Sequence, residues 1–268
     1  MIDNILTMMK LDGVKPKRRK RPTRVKYPFA IEAEYAKDLR KLLGDYTSEV
    51  IKAMSESIEP EIAEWQARFK DAVVEKKDML HGKLNLTQSE IDTIETDLIK
   101  VANNNKFQLN RQFNSVLGIN PLVYEPYLEP ILQGFVVENV ALIKSLKGEI
   151  LEKSEKIIRN GVTSGLARTE IVKQLITLEG VSDYRADLIA RDQSGKFYGQ
   201  LTKQRHQSIG IEKFEWTTAG DDKVRDSHRD LDGQIFTWEK GADGIFPGSD
   251  INCRCTAQAV LDDIIEEA

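Results

Sequence analysis

Apolar residues recur at three- and four-residue steps through most of the first two hundred positions, with charged residues between them. This spacing places apolar side chains on one face of a helix. It predicts helices within residues 31–54, 62–73, 91–113, 130–158, 169–178 and 183–201. Three local signals mark helix starts: Pro60, the capping-box pair Thr87 and Glu90, and Ser182 as an N-cap.

The pattern changes after Gly210. Residues 213–218, 234–238 and 253–260 alternate between polar and apolar side chains, which is typical of short strands. The chain is therefore predicted to be α+β and mostly helical. Long N-terminal helices would be followed by a small C-terminal α+β domain with a short antiparallel sheet.

Composition agrees with a helix-rich protein, since 40% of the 268 residues are hydrophobic and 31% are charged. The net charge of −4 argues against a protein that coats nucleic acid along its whole surface. One stretch departs from this average, because residues 15–26 contain no acid. Its basic residues are Lys15, Lys17, Arg18, Arg19, Lys20, Arg21, Arg24 and Lys26.

This basic stretch predicts contact with the phosphates of nucleic acid or with an acidic partner. A solvated tail and a nuclear localisation signal fit the same composition. Together with the helix pattern, it predicts four segments. They are a basic flexible arm (1–27), a helical region (28–145), a C-terminal domain (146–262) and an acidic tail (263–268).

The sequence shows no recognisable secretory or membrane-targeting pattern, which predicts a cytoplasmic location. Cys253 and Cys255 are separated by one residue, so they imply no long-loop disulfide and no oxidising compartment. The first residues place an apolar patch before the basic stretch, which is the reverse of a secretory signal. No apolar run approaches the roughly 20 residues that cross a bilayer.

Residues 214–255 hold most of the distinctive chemistry, with two of the three tryptophans, one of three histidines and both cysteines. His228, Cys253 and Cys255 are ligands of the kind zinc prefers, although the Cys-x-Cys spacing is short. Asp222, Asp226 or His206 would then supply the fourth ligand. Two small buried hydrophobic cysteines are the alternative, so the sequence predicts no cofactor and leaves zinc open.

A catalytic alternative uses three of these residues. Arg225, His228 and Arg254 could form an acid–base and phosphate-binding set like that of small metal-independent ribonucleases.

A structural interpretation accounts for more of the motif. Asp221 and Asp222 would bind turn amides and cap a helix over 224–231, and Arg254 would form a bidentate pair with one of the motif's aspartates. His228 would bond within the loop, to a backbone carbonyl near Asn252. Trp216 and Phe236 would form a small core, with a turn at Gly233 between them.

The residue order also resembles a known family. The run W-T-T-A-G-D-D-K-V-R-D-S-H-R-D-L-D-G-Q-I-F, a Pro-containing loop and then N-C-R-C resembles the Mu F-like minor head proteins of tailed bacteriophages. Residues 139–145, 161–165 and 185–191 extend the resemblance upstream. The motif residues are Trp216, Asp222, Arg225, His228, Gly233, Phe236, Asn252, Cys253, Arg254 and Cys255.

The resemblance implies a minor capsid protein that acts in head morphogenesis and is not an enzyme. Its implied partners are the portal protein and capsid proteins, with phage double-stranded DNA open as a further partner through packaging or ejection. Its implied place is the virion, in the capsid interior or at the portal vertex, and the host cytoplasm during assembly. Asp250 and Ile251 stand where some relatives have a histidine and a proline, so a metal ligand of those relatives is missing here.

Two rival functions stay open at this point. One is a nuclease-like enzyme or toxin-related module that acts on nucleic acid. The other is a purely DNA-binding ejection protein.

Overall fold

The computed structural model describes residues 2–17, 22–58 and 62–267. The helices are α1 (Ile2–Leu11), α2 (Phe29–Glu56), α3 (Ile62–His81), α4 (Gln88–Leu117), α5 (Leu128–Thr163), α6 (Arg168–Ser208), α7 (Asp226–Arg229) and α8 (Asp262–Glu267). The strands are β1 (Lys213–Thr217), β2 (Ile235–Thr237) and β3 (Thr256–Ala259). The predicted α+β class, mostly helical with a small C-terminal sheet, is confirmed.

Local signals set the ends of several helices. At the start of α4, the backbone N–H of Thr87 donates to Glu90 Oε2 at 2.6 Å, and the N–H of Glu90 donates to Thr87 Oγ1 at 3.3 Å. This reciprocal pair is the predicted capping box. After α5, Gly165 has a left-handed φ of +68°, and Leu166 N–H donates back to Gly161 O at 2.8 Å. Pro60, the third predicted start signal, lies outside the described residues.

Ser182 does not begin a helix, so that prediction is wrong. Helix α6 runs without interruption from Arg168 to Ser208, and Ser182 is fully buried inside it. Leu178 and Ala186, one turn to either side, are buried as well. Burial along one continuous face outweighs a local capping preference, which is weak beside tertiary packing.

The described N-terminal residues form a helix and bury side chains, which a flexible arm would not do. Helix α1 buries Ile5 and Met9, and the extended residues 22–27 bury Val25 and Tyr27. The amide of Gln258 binds the Val25 backbone on both sides, with N–H to Oε1 at 2.7 Å and Nε2 to the carbonyl at 3.1 Å. The described part of residues 1–27 therefore corrects the flexible-arm prediction. Residues 18–21, with four of the candidate basic side chains, lie outside the described residues.

The chain folds as two compact units that interleave along the sequence. Unit 1 comprises Met1–Glu32, Glu95–Phe135 and Arg191–Ala268, and unit 2 comprises Ala33–Ile94 and Val136–Ala190. Both units draw on segments that are distant in sequence, whereas the sequence predicted consecutive segments. Unit 2 is helical, with a core that includes Leu43, Val50, Ile143 and Ile150.

Unit 1 contains the sheet. Its strands lie in the order β2-β1-β3 and are all antiparallel to their neighbours, with Phe214 opposite Phe236 and Trp216 opposite Ala257. Trp216 is fully buried, and Phe236 packs against the same cluster from its edge. None of the described helices is long and apolar enough to cross a membrane.

Candidate functional site

Three of the sequence-predicted residues meet at the edge of the sheet. His228 lies on α7, and Cys253 and Cys255 directly precede β3. The His228 Nδ1 atom is 3.5 Å from Cys253 Sγ and 3.6 Å from Cys255 Sγ. All three side chains are buried, and we call them the His–Cys cluster.

Helix α7 positions the histidine by backbone bonds. The carbonyl of Arg225 accepts the N–H groups of His228 and Arg229, each at 3.0 Å. No side chain caps this helix, so the predicted capping role of Asp221 and Asp222 is wrong. Asp221 does bind a turn amide, since its Oδ1 accepts the N–H of Lys223 at 3.1 Å.

Asn252 sets the direction from which the cysteines enter the site. Its φ of +58° is left-handed, a conformation that asparagine tolerates better than most residues. Its N–H donates to Asp192 Oδ1 on α6 at 2.8 Å, and Arg225 Nη2 donates to the neighbouring Ile251 carbonyl at 2.5 Å. These bonds fix the turn just before Cys253.

Two glycines of α6 let the same loop approach the helix backbone. A Cβ atom on Gly195 would lie under 3.0 Å from the carbonyl oxygen of Cys253, and one on Gly199 would lie equally close to the Pro247 carbonyl. Any larger residue would push the loop away. Sequence reasoning missed this contact, although the four-residue spacing places both glycines on one helix face.

Asp250 holds the other side of the imidazole. His228 Nε2 lies 3.0 Å from Asp250 Oδ2, so the predicted bond to a backbone carbonyl near Asn252 is wrong. From the sequence, Asp250 was notable only because it stands where some relatives have a histidine. The carboxylate instead orients the ring so that Nδ1 faces both sulfur atoms.

Arg254 makes a bidentate pair, but its partner is Glu32, far along the chain, and not a motif aspartate as predicted. Its Nε and Nη2 atoms donate to the two carboxylate oxygens of Glu32, with Nε to Oε2 at 2.8 Å. Its Nη1 lies 3.6 Å from Asp221 Oδ2, and Arg191 Nε lies 3.8 Å from Glu32 Oε1. This largely buried network joins the first turn of α2 to the motif.

The two thiols differ in acidity. A hydrogen bond from the Cys255 thiol is the main cause that lowers the pKa of Cys253, to about 6, and the His228 ring contributes less. The same bond and burial raise the pKa of Cys255. Cys253 is therefore the first of the pair to become a thiolate.

His206 does not join the cluster. Its Nδ1 accepts the indole N–H of Trp238 at 3.1 Å, and burial lowers its pKa from 6.5 to about 3. Asp222 and Asp226 also lie outside the group of three ligands found among the described residues. None of the predicted fourth ligands is therefore in place.

A cavity of about 120 Å³ adjoins the cluster. Arg225, His228 and Arg254, the set considered for catalysis, all line it. Arg254 is engaged by Glu32, and Arg225 by the Ile251 carbonyl. Arg191 and Lys223 add two more cationic side chains to the wall.

The remaining motif residues serve the turn and the core. Gly233 has a φ of +77°, and its N–H donates to Trp216 O at 2.8 Å. Asp232 Oδ1 accepts the N–H of Thr218 at 2.7 Å, so the predicted turn into β2 is confirmed. The Trp216 ring packs edge-on against His228 with centroids 5.2 Å apart.

The described basic residues of the N-terminal segment are not among the residues that line this cavity. Val25 and Tyr27 point inward, and the intervening basic side chains are exposed as expected of an extended chain. We call the four described ones the basic strip: Lys15, Lys17, Arg24 and Lys26.

Comparison with known proteins finds matches to the region that contains the His–Cys cluster. Residues 152–258 match the family model described as Phage Mu protein F like protein. An uncharacterized protein of Haemophilus influenzae is 33% identical over 162 residues, which is 59% of this chain and 36% of that protein. An uncharacterized protein of Methanocaldococcus jannaschii is 33% identical over 107 residues, covering 40% of this chain and 17% of that protein.

This chain thus spans little more than a third of the longer-matching relative. No solved structure matches it significantly. The family match contains α7, the three strands up to Gln258 and every residue of the His–Cys cluster. Residues 152–258 of this chain are thus similar to the Mu F-like family of phage proteins.

Proposed function

We propose that this chain is a minor capsid protein of a tailed phage that acts in head morphogenesis in association with the portal. The observation that carries the proposal is the family match over residues 152–258, which includes the whole polar motif. On this proposal the protein resides in the virion and contacts portal and capsid proteins. It acts by assembly and performs no catalysis.

The contacts of the motif support a structural role. Arg254 binds Glu32, Asn252 binds Asp192, and His228 binds Asp250. These bonds tie loop residues to helices and to each other. A catalytic set would keep such groups available for a substrate.

The basic strip supports a contact with phage DNA or with an acidic partner. Its four cationic side chains are exposed, and Gln258 holds the backbone of Val25, which lies between two of them. A surface of this kind binds phosphates without reading sequence. It would connect the protein to DNA packaging or ejection.

Deletion and complementation of the gene in its phage test the assembly role. Loss of the chain should reduce the number of DNA-filled heads seen by electron microscopy, and the wild-type gene should restore them. His228→Ala should restore fewer heads and lower the melting temperature of the purified protein. His81→Ala is the matched control, because that histidine is exposed on α3. Normal heads without the chain would refute the proposal.

Portal association is tested by co-purification with the portal protein of the same phage. A stable complex is expected. Portal protein recovered at the level seen with an unrelated bait would contradict that part of the proposal.

A nuclease assay tests the enzymatic alternative. This alternative is supported by His228 and two arginines that line one cavity. The purified protein is incubated with RNA and with DNA. No cleavage is expected. Cleavage that His228→Ala abolishes would favour the enzyme.

DNA binding is tested by replacing the basic strip with glutamines. For every DNA phosphate that the variant no longer neutralises, the slope of log affinity against log salt should become shallower by about 0.9. The control carries the same charge change at exposed lysines of unit 2: Lys37, Lys52, Lys144 and Lys153. Equal slopes for the two variants would exclude the strip as the DNA-binding surface.

A further inference from the structure

The His–Cys cluster has the spacing of a metal site. In a tetrahedral zinc site, Zn–S bonds of about 2.3 Å and Zn–N bonds of about 2.05 Å place a ligating nitrogen roughly 3.5–3.6 Å from each sulfur. His228 Nδ1 lies 3.5 Å from Cys253 Sγ and 3.6 Å from Cys255 Sγ. All three ligand atoms lie within 4.8 Å of one another.

Hydrogen bonding alone accounts less well for these distances. A neutral imidazole has one lone pair on Nδ1, so it accepts one thiol proton. Two sulfur atoms nevertheless lie at nearly the same distance from it. A cation shared by the three atoms explains both approaches at once.

The surroundings of the histidine fit the same conclusion. Asp250 Oδ2 lies 3.0 Å from Nε2, so the carboxylate holds the ring proton on Nε2 and leaves the Nδ1 lone pair directed at the sulfur atoms. A carboxylate behind a ligating histidine is a usual partner in zinc sites. Ring packing against Trp216 fixes the plane further.

The ligand types select the metal. Two thiolates and one imidazole suit Zn²⁺, while Mg²⁺ and Ca²⁺ prefer oxygen ligands. Among the described residues the cluster has three ligands and no fourth. Each of the three lines the 120 Å³ cavity, which has room for a solvent ligand.

We infer that His228, Cys253 and Cys255 bind one Zn²⁺ ion, whose fourth coordination position is open to the adjoining cavity. Structural zinc sites are usually closed by four protein ligands, so a solvent molecule from the cavity would be the fourth ligand here. The ion would hold α7 to the segment before β3. The zinc measurements below use the purified chain, so their outcome does not depend on the proposed role in head assembly.

Metal analysis of the purified full-length chain tests the inference. Protein prepared with reduced thiols and added zinc, then freed of excess metal, should carry about one zinc per chain. Cys253→Ser and His228→Ala should each lose it, and His81→Ala should keep it. Zinc well below one equivalent in the wild type would overturn the inference.

Cobalt substitution tests the ligands directly. Co²⁺ in the wild-type site should give the intense visible bands of tetrahedral cobalt together with thiolate-to-cobalt charge transfer. The charge-transfer intensity should fall in Cys253→Ser. A pale octahedral spectrum, or one unchanged by that substitution, would rule out the assigned ligands.

Asp250→Asn gives a test that does not remove a ligand. Loss of the carboxylate should weaken zinc binding about 10–100-fold in competition with a chelator. Asp230→Asn is the control, because that side chain is exposed directly after α7. Circular dichroism establishes that both variants are folded. Equal zinc affinity in the two variants would refute the role of Asp250 and, with it, the coordination through Nδ1.

Discussion

Replacing Gly195 with alanine tests how the motif loop is seated on α6. The added Cβ would lie under 3.0 Å from the Cys253 carbonyl oxygen, a separation that Cβ atoms essentially never show. Because the opposing atom is backbone, no side-chain rotation relieves the overlap. The loop that carries the cysteines has to move away from the helix.

The magnitude follows from two opposing effects. Overpacking of this kind costs about 1–3 kcal/mol, and a rigid backbone contact belongs at the upper end. Alanine in place of a helical glycine returns about 1 kcal/mol. The expected net loss of unfolding free energy is about 2 kcal/mol, or a melting temperature lower by roughly 4–8 °C.

Gly180→Ala is the matched control on the same helix. A Cβ at Gly180 has nothing within 4 Å, so this variant should gain up to about 1 kcal/mol. The two substitutions are chemically identical and differ only in what faces them. Their unfolding free energies should therefore differ by about 3 kcal/mol.

Urea denaturation followed by circular dichroism measures both variants. Reaction with a thiol reagent supplies a local readout, since Cys253 and Cys255 are buried and should react faster only in Gly195→Ala. If the two variants have the same stability within about 0.5 kcal/mol, the close approach of loop and helix is wrong. Unchanged thiol reactivity in Gly195→Ala would contradict the proposed loop displacement.

Three further predictions concern other polar contacts. The pKa of His206 is about 3 in the folded protein and 6.5 in the unfolded chain, so its contribution to stability is complete above pH 6.5 and is lost as pH falls. The free energy of unfolding should therefore drop by about 2 kcal/mol from pH 7 to 5. His206→Gln should lose that part of the pH dependence. Arg254→Ala should lower the free energy of unfolding by about 2–3 kcal/mol, because it leaves the Glu32 carboxylate buried without its partner. Adding Glu32→Ala should recover part of this loss. Fully additive losses in the double-mutant cycle would contradict the ion pair. Thr87→Ala should lower the free energy of unfolding by about 1 kcal/mol through loss of the capping box, and Thr93→Ala, farther along α4, should be nearly neutral in the same urea denaturation assay.

The Ser182 prediction shows where local sequence signals fail. A serine has the preferences of a helix N-cap, and the residues before and after Ser182 have the patterns of separate amphipathic segments. In the fold, one face of α6 is buried on both sides of Ser182, so the helix continues. The flexible-arm prediction for the basic segment differs from the structure for the same reason. Val25 and Tyr27 are buried by contacts with residues far away in the sequence, which the local pattern does not include.

The sequence alone determined those features that depend on residues within a few positions of one another. Helix faces, the Thr87–Glu90 capping box and the alternating strands follow from backbone periodicity and from hydrogen bonds three residues apart. The types of the cluster residues could also be read directly, as could their link to the Mu F-like motif.

Only the tertiary structure decided which groups meet. Arg254 pairs with a carboxylate 222 positions away, and Gln258 binds the Val25 backbone 233 positions away. In the sequence, Asp250 indicated only a missing metal ligand, whereas in the structure it is the hydrogen-bond partner of His228. Gly195 showed no role in the sequence, whereas in the structure it contacts the Cys253 loop. These pairings depend on how helices and loops dock, and that docking is set by the packing of the whole core, which no local pattern encodes.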